Sequence, residues 1–462
     1  MLARRLLEPR IYPKYANNYA SYIRVPEPNS ERMSALLSEY ERLPPRPIPF
    51  KTLRGFANPP TPESVLESAS YVLAELPRRL VQRVRALDSL PFIVGMNPFV
   101  MRTHKLHHSS FERLATFPEV KTLEDNDEFS RELEILVEMH SNDIPTIAKG
   151  FQECSKYLNQ DRISSFLDLS IRGRIAVRLI AEQHIALSRA VRELSGRRSD
   201  KKQSVGEVGV ASANCVPADM VRMCAAFVSE LCEATLGAAP PLVIDGVVDT
   251  KFSYVPVHIE YILTEILKNS YRATVEHQQK LGKRSVHDLP PVTVTIAPPT
   301  SHSSTIVDNE DPTATSSPGG DKPPNSLPSY LSIRVRDEGG GVPPTNLSRI
   351  FSYAFTTAGR LAQIGEDEGG PYAAQHIGGA AAMGGGSGGS SGAGVGNVFG
   401  EIAGRGLQTG MGTIAGLGYG LPMAQLYAKY FGGSLQLISL YGHGADVFIK
   451  LRCLDEDADV VI

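Results

Sequence analysis

The strongest constraint on the fold is a change of hydrophobic pattern midway along the chain. Over residues 63–193 apolar residues recur at helical spacing, as in SSFLDLSIRGRIAVRLIAEQHIALSRAV, with almost no alternating, strand-like segment. Residues 194–212 are polar and carry Gly, Ser and Lys, as exposed connections do. We therefore predict an all-helical bundle over 63–193, a linker over 194–212 and a second domain over 213–454.

Beyond the linker, helical and strand-like segments alternate. Helical periodicity occurs in ADMVRMCAAFVSELCEATLG, VPVHIEYILTEILKNSYRATVEHQQ and GLPMAQLYAKYFG, whereas PLVID, PPVTVTIA, YLSIRVRD, SLQLISLY and ADVFIKLRC are predicted strands. Helices gathered beside a mixed, largely antiparallel sheet form a sandwich. The predicted fold class is therefore α+β, with the all-helical bundle first.

Two insertions, residues 298–329 and 365–412, interrupt the second domain without adding apolar periodicity. Neither can bury enough apolar surface to offset the entropy lost on ordering, so we predict that both are mobile. The second is rich in glycine and lies between two candidate phosphate-binding motifs. A mobile segment in that place is suited to act as a nucleotide lid.

Composition excludes several classes of partner. A chain of 462 residues with a net charge of -3 is long enough for two domains and offers no general attraction for nucleic acid. It has no apolar run of the ~18 residues that an integral membrane protein needs. The 5 cysteines form no CxxC pair, as expected of reduced thiols. Residues 1–62 begin with a basic, leucine-rich stretch, which predicts either a mitochondrial transit peptide or an ordinary basic helix.

The first candidate site residues lie in TEILKNSYRAT. Glu265 and Asn269 are four residues apart, so a helix places their carboxylate and carboxamide on one face. Phosphoryl transfer needs an oxygen ligand for magnesium and a base or orienting group for the attacking hydroxyl. Asn269 suits the first role and Glu265 the second, although such pairs also occur on solvated helix faces.

The second candidate motif is VRDEGGGVP, which places Asp337 at the end of a strand, with Gly339 and Gly341 after it. A carboxylate in this position can accept a hydrogen bond from an exocyclic amine such as adenine N6, and the glycines allow close approach of the backbone. Farther on, Thr356 and Thr357 supply hydroxyls that can reach phosphate oxygens. A tight acidic turn is the alternative interpretation.

The third motif, GLGYGLPMAQ, sets Gly416, Gly418 and Gly420 just before a helix. Backbone N–H groups at a helix N-terminus favour a bound phosphate. The motif lacks the preceding buried strand and the later acidic residue of a dinucleotide-binding fingerprint, which argues against a Rossmann fold. A flexible glycine hinge is the alternative.

The three motifs in this order resemble the N, G1 and G2 boxes of the GHKL ATPase superfamily. YILTEILKNSYRATVEHQ, FSYAFTTA and GLGYGLPMAQLYAKYF are similar to pyruvate dehydrogenase kinases, whereas LPFIVGMNP and GGSLQLISLYGHGADVFIKLR are closer to the branched-chain 2-oxo-acid dehydrogenase kinase. The resemblance covers most of the chain from about residue 76 to 451. It identifies the mitochondrial 2-oxo-acid dehydrogenase kinase family.

The resemblance implies a GHKL (Bergerat) α/β-sandwich ATP-binding domain after the bundle, with the glycine-rich tract as its lid. It implies Glu265 as the general base for a substrate serine, Asn269 as the magnesium ligand and Asp337 as the adenine contact. The remaining nucleotide contacts that it implies are Arg272, Gly339, Gly341, Thr356, Thr357, Gly416, Leu417, Gly418, Tyr419, Gly420 and Leu421.

Cofactors and partners follow from the same resemblance. They are ATP and Mg2+, the E1α subunit of a 2-oxo-acid dehydrogenase as substrate, the lipoyl domain of the E2 core, and a second copy in a homodimer. Pyruvate dehydrogenase is the first expected target and the branched-chain enzyme the second, both in the mitochondrial matrix. Phosphorylation switches the dehydrogenase off.

Four departures from the family pattern occur. Tyr261 stands where the family has a histidine four residues before the base, and Glu338 replaces a common arginine. Ser352 stands where the branched-chain kinase has an aspartate beside K+, which weakens the case for K+ as a cofactor. The tail, residues 455–462, lacks the aspartate-tryptophan motif through which the pyruvate kinases cross over in their dimers.

Two other functions are compatible with parts of the sequence. His140 and Pro145 have the spacing of a phosphoacceptor box of histidine kinases, but Ser141 replaces the acidic residue that usually follows the histidine. A nucleotide-responsive module without transfer activity is the second rival. The histidines of RTHKLHHSS, His104, His107 and His108, are expected to be solvated rather than to bind a metal.

Overall fold

The computed structural model describes residues 31–196, 208–282, 289–301, 328–353, 355, 418–455 and 460–462. Residues 1–30 of the predicted targeting segment lie outside these residues, as does the whole glycine-rich insertion, residues 365–412. Most of the linker, residues 197–207, also lies outside them.

The first part of the described chain is helical. Its helices are α1 (Glu31–Glu41), α2 (Phe50–Gly55), α3 (Pro62–Asp88), α4 (Phe92–Gly95), α5 (Pro98–Ala115), α6 (Leu123–Met139), α7 (Asp143–Glu153) and α8 (Gln160–Gly196). Side-chain caps set several starts: Thr61 and Ser64 form a reciprocal capping box on α3, and Asn97 accepts from the first N–H groups of α5. Two helices before residue 63 were not predicted, and α8 continues three residues beyond Glu193.

The second part is a sheet with helices beside it. Its elements are β1 (Ser212–Cys215), α9 (Pro217–Leu236), β2 (Leu242–Gly246), β3 (Phe252–Tyr254), α10 (Pro256–Lys280), β4 (Val292–Ser301), β5 (Ser329–Asp337), α11 (Pro344–Leu347), α12 (Gly420–Tyr430), β6 (Ser434–Leu440) and β7 (Gly444–Arg452). Five strands pair in the order β2-β4-β5-β7-β6, with β2 parallel to β4 and the other pairs antiparallel. The predicted α+β class, with a mixed and largely antiparallel sheet, is confirmed.

Strand boundaries differ from the predictions in two places. β4 runs to Ser301, so the first four residues of the predicted 298–329 insertion belong to a strand, as does Ser329 at its other end. The prediction was wrong there because pairing between β4 and β5, which extends to Ser301 and Ser329, supplies partners that the local sequence does not show. β1 and β3, which form a separate two-stranded sheet, were missed because both are very short.

The carboxyl end of the chain packs on the helical part. Ile48 and Ile462 exchange backbone hydrogen bonds in both directions, at 3.3 and 2.9 Å. The Arg54 guanidinium donates to the carbonyl of Leu454, and Arg79 donates to that of Ile462. These contacts, together with one apolar core cluster that spans both parts, join the bundle to the sheet.

One helix of the second part positions the candidate site. α10 is buried along most of its length between α9, α12 and the sheet, as its apolar residues Ile262, Leu263 and Ile266 show. The remaining face of α10 lies opposite the end of β5 and the start of α12. In the described part of the chain, no helix is both long and apolar enough to cross a membrane.

Candidate active site

Three chain segments meet around one cavity of about 630 Å³. α10 contributes Glu265 and Asn269, the end of β5 contributes Asp337, and the start of α12 contributes Gly420. These are the segments of the three sequence motifs, which lie far apart in the chain. Folding thus brings a carboxylate, a carboxamide and a glycine-rich helix start to the wall of a single cavity.

The Glu265 carboxylate is buried and held from two sides. Its Oε1 accepts a 2.6 Å hydrogen bond from the Lys268 ammonium, one helical turn away, and both side chains are nearly buried. On the other side, a Cβ added at Gly420 would lie 2.1 Å from Oε2. Gly420 therefore leaves room for the carboxylate, and Lys268 fixes its direction.

Lys268 lines the candidate site and was not predicted from the sequence. The spacing of Glu265 and Lys268, three residues apart, was visible in the sequence and is compatible with an ion pair on a helix. The signal was weak because such pairs are common on solvated faces. Burial of both side chains, which only the tertiary structure supplies, makes this pair a positioning contact.

Replacing Lys268 by Met is expected to lower the free energy of unfolding by about 3 kcal/mol, since it leaves the buried Glu265 carboxylate without its cation. The double variant Lys268→Met/Glu265→Gln is expected to recover most of this loss because no unpaired charge remains. Urea unfolding measures both. The exposed Lys429→Met change, on α12, is the control. Equal losses in the single and double variants would contradict the pairing.

Asp337 ends β5 as a buried carboxylate. Its Oδ1 accepts backbone N–H groups of Gly339 at 3.0 Å and Ala445 at 3.2 Å, which fix the side chain at the cavity wall. Burial raises the pKa of Asp337, and hydrogen bonds from Gly339, Ser270 and Ala445 oppose that shift. The position suits an acceptor for a hydrogen bond from a buried polar ligand.

The glycines after Asp337 are required by close contacts. A Cβ at Gly339 would meet that of Ala273 on α10 at 2.4 Å, so β5 and α10 approach closely there. Gly341 has a φ of +69°, and a Cβ there would meet the Leu440 carbonyl oxygen at 2.7 Å. Gly418 has a φ of +74° and lies against the Phe355 backbone. Side chains at these positions would narrow the cavity or displace its walls.

Tyr261 lies one helical turn before Glu265 and is 2% exposed. Its hydroxyl points to Met423 Sδ at 3.5 Å, whereas Lys268 occupies the hydrogen-bonding position on the Glu265 carboxylate. Burial, with a further contribution from the negative charge of Glu265, raises the pKa of Tyr261 well above its usual value. The residue at this position therefore stays neutral, and the ion pair with Lys268 holds the carboxylate.

The other predicted contacts divide into three groups. Arg272 and Leu421 line the cavity, and the Arg272 guanidinium is paired with Glu276. Tyr419 is fully buried, with its hydroxyl donating to the Ala148 carbonyl of α7, so its side chain turns toward the bundle. Outside the described residues lie Thr356, Thr357, Gly416 and Leu417.

Known proteins match this chain over most of its length. Residues 47–209 match the family described as "Mitochondrial branched-chain alpha-ketoacid dehydrogenase kinase". The mitochondrial [pyruvate dehydrogenase (acetyl-transferring)] kinase of Arabidopsis thaliana is 27% identical over 415 residues, which cover 89% of this chain and 92% of that protein. Isozyme 4 of that kinase from Mus musculus is 27% identical over 437 residues, covering 91% and 84%.

These matches define the chain as a protein kinase. Helices α2 to α8 lie within the matched residues 47–209, and the matches with whole kinases cover most of the chain. The chain is similar to mitochondrial pyruvate dehydrogenase kinases over most of its length, and to the branched-chain kinase family over residues 47–209.

Proposed function

We propose that this protein is an ATP-dependent serine kinase that phosphorylates the E1α subunit of pyruvate dehydrogenase and thereby inactivates it. One observation carries the proposal: Glu265 and Asn269 of α10, Asp337 at the end of β5 and Gly420 at the start of α12 line the same cavity. The relatives that are named pyruvate dehydrogenase kinases support the choice of substrate.

Each residue has a role that fits its place. Glu265, held by Lys268, accepts the proton of the substrate serine hydroxyl as that oxygen attacks. Asn269, exposed to the cavity on the same helix face, offers a carboxamide oxygen to Mg2+, which supplies charge neutralisation at the transferred phosphoryl group. Asp337 accepts a hydrogen bond from the adenine amino group.

The cavity fits a nucleotide in both size and lining. A volume of about 630 Å³ lies within the usual range for ligand sites. The close contacts at Gly339 and Gly418 show that backbone, rather than side chains, forms parts of the wall. Backbone N–H groups at the start of α12 are suited to phosphate oxygens.

Further features of the proposal rest on the family. They are a GHKL-type sandwich with residues 365–412 as its lid, docking on an E2 lipoyl domain, a homodimer, and a matrix location. Ser352 lacks the carboxylate expected beside K+, so we do not include K+ among the cofactors. The tail lacks the aspartate-tryptophan motif of the pyruvate kinases, so a dimer formed through crossed tails is not part of the proposal.

The test is transfer of labelled γ-phosphate from Mg·ATP to purified E1 of the pyruvate and branched-chain complexes. We expect acid-stable phosphoserine on pyruvate dehydrogenase E1α, and loss of transfer in Asn269→Ala, since that change removes the proposed magnesium ligand. Asn214→Ala, an exposed asparagine of β1 outside the cavity, is the matched control. ATP binding without transfer to either E1 would contradict the proposal.

The branched-chain E1 is the second candidate substrate because residues 47–209 match the branched-chain kinase family. Preferential labelling of that E1 would keep the kinase assignment and change its target. A histidine kinase would instead give acid-labile label on His140. That ring is 17% exposed and its Nε2 is hydrogen-bonded to Ser110, an environment unlike that of an accessible phosphoacceptor.

A further inference from the structure

A second cluster of chemically reactive groups lies in the helical bundle, away from the candidate active site. His107 comes from α5, His140 follows the last residue of α6, and Asp143 begins α7. One ligand atom from each residue lies within 4.8 Å of the others. The expectation of solvated histidines in this region is wrong for His107, which is 4% exposed.

Each histidine ring already has one nitrogen engaged by the protein. His107 Nδ1 donates to the Thr103 carbonyl at 3.0 Å, because a carbonyl can only accept. The other ring nitrogen of His107, Nε2, lies 3.5 Å from the Asp143 carboxylate. His140 Nε2 is bonded to the Ser110 hydroxyl at 2.9 Å, which leaves Nδ1 on the side of Asp143. Metal-binding histidines characteristically have such a partner on the nitrogen remote from the metal.

The Asp143 carboxylate lies at the centre of the cluster and is poorly satisfied. It is 4% exposed, and its Oδ1 has no hydrogen-bond partner among the described residues. Its Oδ2 is 3.5 Å from His107 Nε2 and 3.9 Å from His140 Nδ1, distances at or beyond the limit of a hydrogen bond. The buried Arg83 and Arg174 guanidinium groups compensate its charge at longer range, but they do not satisfy Oδ1.

We propose that His107 Nε2, His140 Nδ1 and Asp143 bind a divalent transition-metal ion, with Zn2+ as the best fit. Ligand bonds of ~2.0–2.1 Å place neighbouring ligands of a tetrahedral Zn2+ about 3.3 Å apart. The observed separations from the carboxylate are 3.5 and 3.9 Å, and the two histidine nitrogens lie within 4.8 Å of each other, so the three groups need to close in slightly on a bound ion.

A cavity in the bundle adjoins two of the three proposed ligands. His107, Ser110 and His140 line a cavity of about 310 Å³ in the bundle, and Arg83 and Arg174 also line it. Both arginines are buried cations, which oppose a second positive charge nearby. The site therefore favours an anionic fourth ligand such as hydroxide or chloride, which offsets part of that repulsion.

The test uses the full chain after treatment with a chelator. Zn2+ content is measured after gel filtration, and Co2+ is added separately because four-coordinate Co2+ gives intense visible bands. We expect one equivalent of metal, a Zn2+-dependent rise in Tm, and loss of both in His140→Gln and Asp143→Asn. The loss of Zn2+ affinity should exceed the about 10- to 100-fold typical of removing an outer-shell partner.

His104→Gln is the matched control, because His104 lies on the same helix and its Nε2 is paired with Asp88 at 2.7 Å. The His104→Gln variant should bind as much metal as the unmodified chain does. Circular dichroism checks that each variant is folded. If the variant at the buried Asp143 fails to fold, the variant at the partly exposed His140 still tests the proposal. Absence of bound metal, or equal binding in His140→Gln and the unmodified chain, would overturn the proposal.

Discussion

Glu265→Gln is expected to lower kcat for E1α phosphorylation by about 10³-fold, the middle of the range for removing a general base. The amide keeps the shape of the side chain but cannot take the serine proton. Because Asp337, not Glu265, is the proposed adenine contact, the Kd for ATP is expected to stay within about threefold. Steady-state kinetics with E1α and calorimetric titration with ATP measure the two quantities separately.

Glu260→Gln is the matched control for this change. Glu260 is also a buried glutamate of α10, at 7% exposure, but it does not line the cavity. Burial raises the pKa of its carboxyl, so the amide is a mild replacement there and kcat should be unchanged. Equal activity of Glu265→Gln and Glu260→Gln would show that the Glu265 carboxylate has no role in the reaction.

Gly420→Ala is expected to lower kcat by about 10²-fold with little loss of stability. The new Cβ would lie 2.1 Å from Glu265 Oε2, so the carboxylate must move by roughly 1 Å, a displacement that can cost about that much in rate. Stability should change little because the clash is with the end of a side chain rather than with backbone, and alanine favours the helix that starts there. The assay pairs kcat with Tm.

Two further variants make the result specific. Gly55→Ala places a Cβ in open space at the end of α2 and should leave both kcat and Tm unchanged. The double variant Glu265→Gln/Gly420→Ala should be no slower than Glu265→Gln, since both changes act on one carboxylate. Additive losses in the double variant would mean that Gly420 acts through something else, such as phosphate binding at the start of α12.

Local pattern was enough to locate most elements. The alternation in YLSIRVRD and ADVFIKLRC predicted strands that the structure has as β5 and β7, and the periodicity of VPVHIEYILTEILKNSYRATVEHQQ predicted α10. Each of these segments buries one face, so its apolar periodicity indicates the type of secondary structure from the local sequence alone. β1 and β3 gave no such signal, because strands of four and three residues depend on pairing with each other.

The sequence by itself determined the residue types of the site and their order: Glu265 and Asn269 on one helix, Asp337 at a strand end, and glycines before α12. Only the tertiary structure decided that Lys268 holds the Glu265 carboxylate and that Gly420 leaves room for it. It likewise decided that His107 is buried beside Asp143 instead of solvated. The reason is that burial and contacts between distant segments set these relations, and neither is encoded in local spacing.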